Sequence, residues 1–276
     1  MQQWLSYHIH PLETLDVFLT RALRPFLDQH VWPAPGARAF FIRYDDEQGP
    51  HIRLRLRGEA DWLEEKLRPA VTEWFAERGT VEEMPYLPEP ERFGGPEALD
   101  WAEEYFHLST RVVLDRLNRP STTYGDALFD ALRLHVVTAF AAGWDRARSA
   151  WYFGQLCDQW IDLFFQPANA GAAGTSDWQG KLKADFERSF DPQRDALRLA
   201  VAELWTALEK ESFDPDQPEW LRWLRGNQMI LRELGEHLEK ALPSLLHLTN
   251  NRLGIGNPDE VYLNYLLAHA LVAPEA

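Results

Sequence analysis

An α+β fold is predicted for this chain by two patterns and the order in which they occur. His51-Ile52-Arg53-Leu54-Arg55-Leu56-Arg57 alternates basic and aliphatic residues, the period of a β-strand with one buried face. Leu12, Leu15, Phe18, Leu19, Leu23, Phe26 and Leu27 follow helical spacing instead. Strand-like and helix-like stretches alternate as far as residue 95, and beyond it only helix-like stretches follow. The expected architecture is an N-terminal sandwich of strands and helices with a mainly helical C-terminal half.

The elements follow in order. Leu5 to His10 alternates apolar and polar residues and reads as the first strand. Pro11 to His30 is an amphipathic helix whose last turns Pro25 should bend. Ala39 to Tyr44 is the second strand, joined through Asp45–Pro50, with its Gly49-Pro50 turn, to the Arg53 strand as a hairpin. Asp61 to Arg78 is a helix with Trp62, Leu63, Leu67, Val71, Trp74 and Phe75 facing inward and Gly79 as its C-terminal stop. Thr80 to Leu87 is the fourth strand. The order β-α-β-β-α-β is the split βαβ pattern of a ferredoxin-like sandwich. Pro96 then opens a helix to about Asn118, and others are expected near 124–142, 145–165, 189–211, 219–241 and 258–272. The last starts with Asn257 as N-cap, Pro258 in the first turn and Glu260 closing a capping box. Pro167 to Asp177, rich in Ala, Gly and Asn, is the expected mobile loop. Two subdomains result, 1–95 and 96–276, together one domain, with the helical half packed on the open face of the sheet.

Composition limits the function. The chain has 276 residues, 45% of them hydrophobic, with 12 Trp and 15 Phe, so it buries a core and is not a disordered protein. Its aromatic content also points to a surface for a partner subunit or for a second copy in a homodimer. A formal net charge of -15 argues against sequence-independent binding to nucleic acid. The single cysteine, Cys157, excludes an internal disulfide and reads as a small buried hydrophobe. Met1-Gln2-Gln3-Trp4 lacks the features of a signal peptide, and no apolar run approaches ~18 residues, so a soluble, cytoplasmic protein is expected.

Against that acidic background, arginines concentrated on one strand face suggest an anion site. A guanidinium stays protonated and can fork two donors onto a carboxylate. Arg53 and Arg55 could clamp one such group, or they could be ion-paired to nearby acids on a solvated face. Buried between two layers, a row of arginines is costly unless paired or bound to an anion. Glu89 and Arg92 lie in the Gly- and Pro-rich Tyr86-to-Gly95 turn, as ligand groups or as a structural pair. His247 and Asn251, four residues apart, share a helix face, and an imidazole suits proton transfer near neutrality. His107 and Ser109 could line a pocket. His8 and His10 share a strand face, but no further ligand stands at a spacing that would complete a metal site. Neither a Gly-x-Ser-x-Gly elbow nor a phosphate or dinucleotide fingerprint occurs.

Taken together, Phe40-Phe41-Ile42-Arg43-Tyr44, His51-Ile52-Arg53-Leu54-Arg55, Tyr86…Glu89…Arg92-Phe93-Gly94-Gly95, Phe106…Ser109 and His247…Asn251-Arg252-Leu253-Gly254 resemble the thiopeptide-type bacteriocin biosynthesis domain. That family is also known as the C-terminal elimination domain of class I lanthipeptide dehydratases. The ordered pattern spans about residues 4 to 270. Phe93 stands where the family often has Tyr, and Pro88 and Pro90 stiffen the turn. The large glutamylation domain of fused dehydratases is missing from the sequence, which therefore resembles the stand-alone members of split systems.

The resemblance implies that a separate glutamylating dehydratase subunit, using glutamyl-tRNA, esterifies Ser or Thr of a precursor peptide. This chain would then expel glutamate from the glutamylated peptide, leaving dehydroalanine or dehydrobutyrine. It implies Arg53, Arg55, Arg92 and His247 as catalytic residues, with Glu89, His51, Arg43, Ser109, Asn251 and Arg252 binding the substrate. No cofactor, no metal, no membrane and no direct contact with tRNA are expected. Two alternatives stay open: a pyridine synthase that joins two dehydroalanines in a formal [4+2] cycloaddition, and a non-catalytic module that binds a precursor peptide or dehydratase.

Overall fold

The computed structural model describes residues 2–119, 123–165, 178–214 and 216–272, so the loop expected at Pro167–Asp177 lies outside the described residues. It is a mixed α/β structure, mainly helical, with one four-stranded sheet. Two compact units are present. One comprises Met1–Ala127 with Met229–Gly254, and the other Leu128–Gln228 with Ile255–Ala276. The first unit thus continues past residue 95 and takes in two of the later helices.

In the first unit, β1 (Gln2–Pro11), β2 (Arg38–Asp46), β3 (Gly49–Glu59) and β4 (Gly79–Glu83) form a sheet in the order β2-β3-β1-β4, every neighbouring pair antiparallel. Helix α1 (residues 15–31) connects β1 to β2, and α2 (residues 60–75) connects β3 to β4. The period-two pattern of β3 sorts its faces as expected. Ile52, Leu54 and Leu56 are fully buried, as are Phe18, Leu23 and Phe26 of α1 and Val71 and Phe75 of α2. Tilted ring contacts between Phe18 and Phe75 and between Phe26 and Phe75 join the two helices in this core. The opposite face carries Arg53, with His8 and Ile42 beside it on the flanking strands, and Arg55, with Ser6 and Phe40 beside it.

Local structure adds to these expectations and corrects some of them. Helix α1 passes through Pro25, and the accommodation is a wider, π-helical turn at Leu19–Leu23 just before it and another at Leu27–Val31. In α2 the π-helical turn Leu63–Leu67 precedes Pro69 in the same way, loosening the register where a proline offers no N–H. Gly79 does not stop that helix; it opens β4, where a Cβ would collide with the carbonyl of His10 on β1. The fourth strand ends at Glu83, and the next residues run without regular structure.

Two long helices complete the first unit, α3 (Pro96–Leu117) and, later in the chain, α9 (Leu238–Leu253). Both pack along β2. Between them in sequence come α4 (Tyr124–Ala141), α5 (Arg146–Phe164), α6 (Trp178–Phe190), α7 (Arg194–Glu209) and α8 (Pro218–Leu234), and α10 (Asn257–Ala270) follows. The helix expected over 219–241 ends at Leu234, because Gly235 takes a left-handed φ of 51° and starts a short turn before α9. Helix α6 escaped the periodicity because its apolar residues are sparse. The capping box at Asn257 does not form; Gly256 is the N-cap and α10 begins one residue early.

In the second unit, α5 packs against α10, and the Trp223 indole donates to the Leu134 carbonyl at 2.9 Å. Cys157 is buried there and its thiol is pushed up to about 12 by desolvation. No helix among the described residues is long and apolar enough to cross a membrane.

Candidate functional site

The free edge of β2 is capped by side chains. The backbone N–H of Ala39 donates to His107 Nδ1 at 3.1 Å, that of Phe41 to Thr110 Oγ1 at 3.4 Å, and that of Arg43 to Asn251 Oδ1 at 2.9 Å. Asn251 also donates from Nδ2 to the Arg43 carbonyl at 2.9 Å, so its amide completes both hydrogen bonds that a further strand would make. Helices α3 and α9 are thereby held beside the arginine face of the sheet. His107 is an edge cap, and burial drives its imidazole down to about 4.

On that face the arginines divide. Arg57 pairs with Asp100 at 2.9 Å and Glu103 at 3.4 Å, and Arg38 pairs with Glu104 at 2.6 Å. Among the described residues, neither Arg53 nor Arg55 has a carboxylate in salt-bridge range. The Arg53 guanidinium lies 3.3 Å from the Tyr44 ring centroid, and that of Arg55 lies 5.7 Å from Tyr86. Arg55 is 8% exposed, with Nη1 donating to the carbonyls of Leu54 at 3.2 Å and Tyr7 at 3.4 Å. Burial, reinforced by the charge of Arg53, lowers Arg55 to about 10, still protonated at neutral pH. Burial first, then the charges of Arg53 and Arg55, depress His8 on β1 to about 4.

The connection from β4 to α3 brings in a second charged pair. Pro90–Arg92 forms a single 3₁₀ turn, after which Gly94 and Gly95 take φ of 112° and 124°, a region that disfavours residues with a Cβ. This geometry holds Arg92 Nη1 2.8 Å from Glu89 Oε2, both side chains well exposed. It also seats Phe93 against Phe106 of α3. From α9, half-buried His247 and Asn251 face the same space.

The result is a cavity of about 370 Å³. Arg43, Arg53, Arg55, Glu89, Arg92, His247 and Asn251 line it, together with aromatic walls that include Phe40, Tyr44, Tyr86 and Phe106. The three other expected site residues lie outside the lining. His51 is fully buried and supports Arg53: its Nδ1 sits 3.1 Å from the Gly49 carbonyl, leaving Nε2 to accept from Arg53 Nε at 3.5 Å. Ser109 is buried against Thr249 at 3.1 Å, and Arg252 is buried next to it.

Other contributors were not singled out from the sequence. Tyr44 lies against Arg53 and Tyr86 near Arg55, the two arginines with no acid in salt-bridge range among the described residues. Glu103, 3% exposed, accepts from the Tyr86 hydroxyl at 2.8 Å, and burial raises its carboxyl above the usual range. Tyr44 appeared in the sequence only as the end of the second strand and of the Phe40-to-Tyr44 motif, with no role attached to it. Nothing in the sequence connected Glu103 with Tyr86.

A volume of this size with two guanidiniums free of acids in salt-bridge range, two further arginines paired to Asp16 and Glu89, and an imidazole suits a small carboxylate-bearing group. Among the described residues, no group of three or more His, Cys, Asp or Glu is placed to hold a metal ion.

The fold is shared with solved structures. A pyridine synthase, TbtD, from thiomuracin biosynthesis superimposes with a TM-score of 0.74 at 16% identity, covering 98% of this chain and 97% of that one. TsrL gives a TM-score of 0.66 at 17% identity over 100% and 99% of the two chains. The tRNA-dependent lantibiotic dehydratase MibB from Microbispora sp. 107891 gives 0.59 at 24% identity, where 97% of this chain covers 28% of that one. At these identities the likeness concerns fold alone. No curated protein matches the sequence. The family described as "Lantibiotic biosynthesis dehydratase C-term" matches residues 4–271, nearly the whole length. The chain therefore belongs to that lantibiotic dehydratase C-terminal family.

Proposed function

We propose that this chain is a glutamate-eliminating lyase of ribosomal peptide biosynthesis, acting on glutamylated Ser or Thr of a precursor peptide. The observation that carries the reading is the pair Arg53 and Arg55, held in the cavity with aromatic partners and, among the described residues, no carboxylate in salt-bridge range. In the reaction a base removes the α-proton of the esterified residue, and the electron pair delocalises onto the peptide carbonyl. It then returns to form the Cα–Cβ double bond as the Cβ–O bond breaks, and glutamate leaves as a carboxylate. Negative charge develops first on the enolate oxygen and then on the leaving group. Fixed guanidiniums beside both positions stabilise it without reorganising.

In this reading Arg53 and Arg55 clamp the glutamyl carboxylates and the enolate, Glu89 orients Arg92 against the same adduct, and His247 moves the proton. Arg43 and Asn251 complete the wall at the β2 edge, while His51, Ser109 and Arg252 act from behind it. The sheet order, with α1 and α2 as connections, is read as a ferredoxin-like split βαβ subdomain with a helical remainder. The protein works in the cytoplasm, beside a separate glutamylating dehydratase subunit, without touching tRNA.

A second reading, the [4+2] pyridine synthase, is favoured by the fold likeness to TbtD over 97% of that chain. Mass spectrometry of a glutamylated peptide incubated with this protein alone separates the readings. Loss of glutamate to give dehydrated residues supports the lyase. If only a peptide already carrying dehydroalanines reacts, with ring closure and leader release, the lyase reading is wrong and the cyclase stands. No change in either peptide leaves a binding module.

A further inference from the structure

Arg252 is a buried charge of the first unit. Its side chain is completely buried, and no carboxylate among the described residues lies in salt-bridge range. Nη1 donates to the Leu248 carbonyl at 3.0 Å and lies 3.5 Å from Ser109 Oγ, whereas Nε and Nη2 have no hydrogen-bond partner among the described residues. Burial lowers the guanidinium to about 9, so it is still charged at neutral pH. A buried cation without a counter-charge is among the costlier arrangements a fold can hold.

Its neighbours suggest what it is kept for. The guanidinium carbon sits 5.2 Å from the Phe106 ring centroid and 5.9 Å from Phe40. Phe40, Phe106 and Leu248 all line the cavity, so one layer of apolar groups separates this charge from the space beside Arg53 and Arg55. Such a layer holds no water to screen the field, and the charge acts through it more strongly than it would through solvent.

We infer that Arg252 is a supporting cation for the cavity, its charge balanced by a carboxylate-bearing guest instead of by an acid of the protein. This rests on the reading of the cavity as a glutamyl site and adds a positioning role for a residue that does not touch the guest. Arg252 holds the guest's carboxylate against Arg53 and Arg55 from behind the aromatic wall.

The test is calorimetric titration of L-glutamate and glutarate into the wild-type protein and into Arg252→Met, Arg252→Gln, Arg252→Lys and Arg53→Met. Thermal denaturation of each unliganded variant accompanies it. The expected result is that Arg252→Met and Arg252→Gln melt at or above the wild-type temperature yet bind the dicarboxylates about tenfold more weakly, while Arg252→Lys recovers most of the affinity. Unchanged affinity in Arg252→Met or Arg252→Gln overturns the inference and leaves the cavity reading in place. So does failure of both neutral variants to fold, which would make Arg252 structural. Absence of dicarboxylate binding by the wild type refutes the cavity reading, and this inference with it.

Discussion

Arg53 and Arg57 stand four residues apart on the same face of β3 and have different surroundings. Arg57 meets Asp100 and Glu103 from the first turns of α3. Arg53 meets the face of Tyr44 and the ring of His51, and across the cavity His247 and Asn251. The strand gives both the same direction, so what separates them is the covering layer. Where α3 supplies acids, the arginine is part of the structure. Where the β4–α3 turn and α9 supply aromatic rings and an imidazole, the positive charge faces the cavity with no acid in salt-bridge range among the described residues.

The comparison can be broken by substitution. Replacing Arg53 or Arg55 with Met should lower glutamate elimination about 10²–10³-fold while the protein stays folded, read as release of free glutamate and persistence of glutamylated peptide. Arg57→Met should do the reverse. It strips the cation from buried Glu103 and should cost about 2–3 kcal/mol in chemical denaturation, with activity per folded molecule within a few-fold of wild type. Asn251→Ala removes both caps from Arg43 at the β2 edge and should cost about 1–2 kcal/mol in the same assay.

The smallest effect concerns pH. His8 and His107 are both held near 4, below the ordinary imidazole value, so the folded state binds fewer protons than the unfolded chain between those limits. Stability should be complete above about pH 6.5 and fall progressively towards pH 4. His8→Phe should flatten that decline in thermal melts at pH 7 and pH 5. A melting temperature that rises on acidification would mean that the arginine charges beside His8 are compensated.

The legible parts were those in which one element contains its own reason. The alternation in β3 announces a buried aliphatic face and an arginine face, and Pro96 announces the start of α3. What stayed hidden depends on partners far apart in the chain. Asn251 lies 208 positions from the strand edge that it caps, and the acids that claim Arg57 lie 43 and 46 positions away. Period and spacing therefore put Arg53, Arg55 and Arg57 on one face as equals. Only packing tells which of them keep an acid. The same gap explains why His51 and Ser109, read as ligand groups, turn out to be buried and outside the cavity lining.

The most direct test is the ratio of glutamate-release rates for Arg53→Met and Arg57→Met, each corrected for folded fraction, on one O-glutamyl peptide. A ratio of about 1:100 or lower is the expected outcome if, as proposed, the guanidinium facing tyrosine binds the anion and the one facing carboxylates does not. Equal rates, or a slower Arg57→Met, would contradict it.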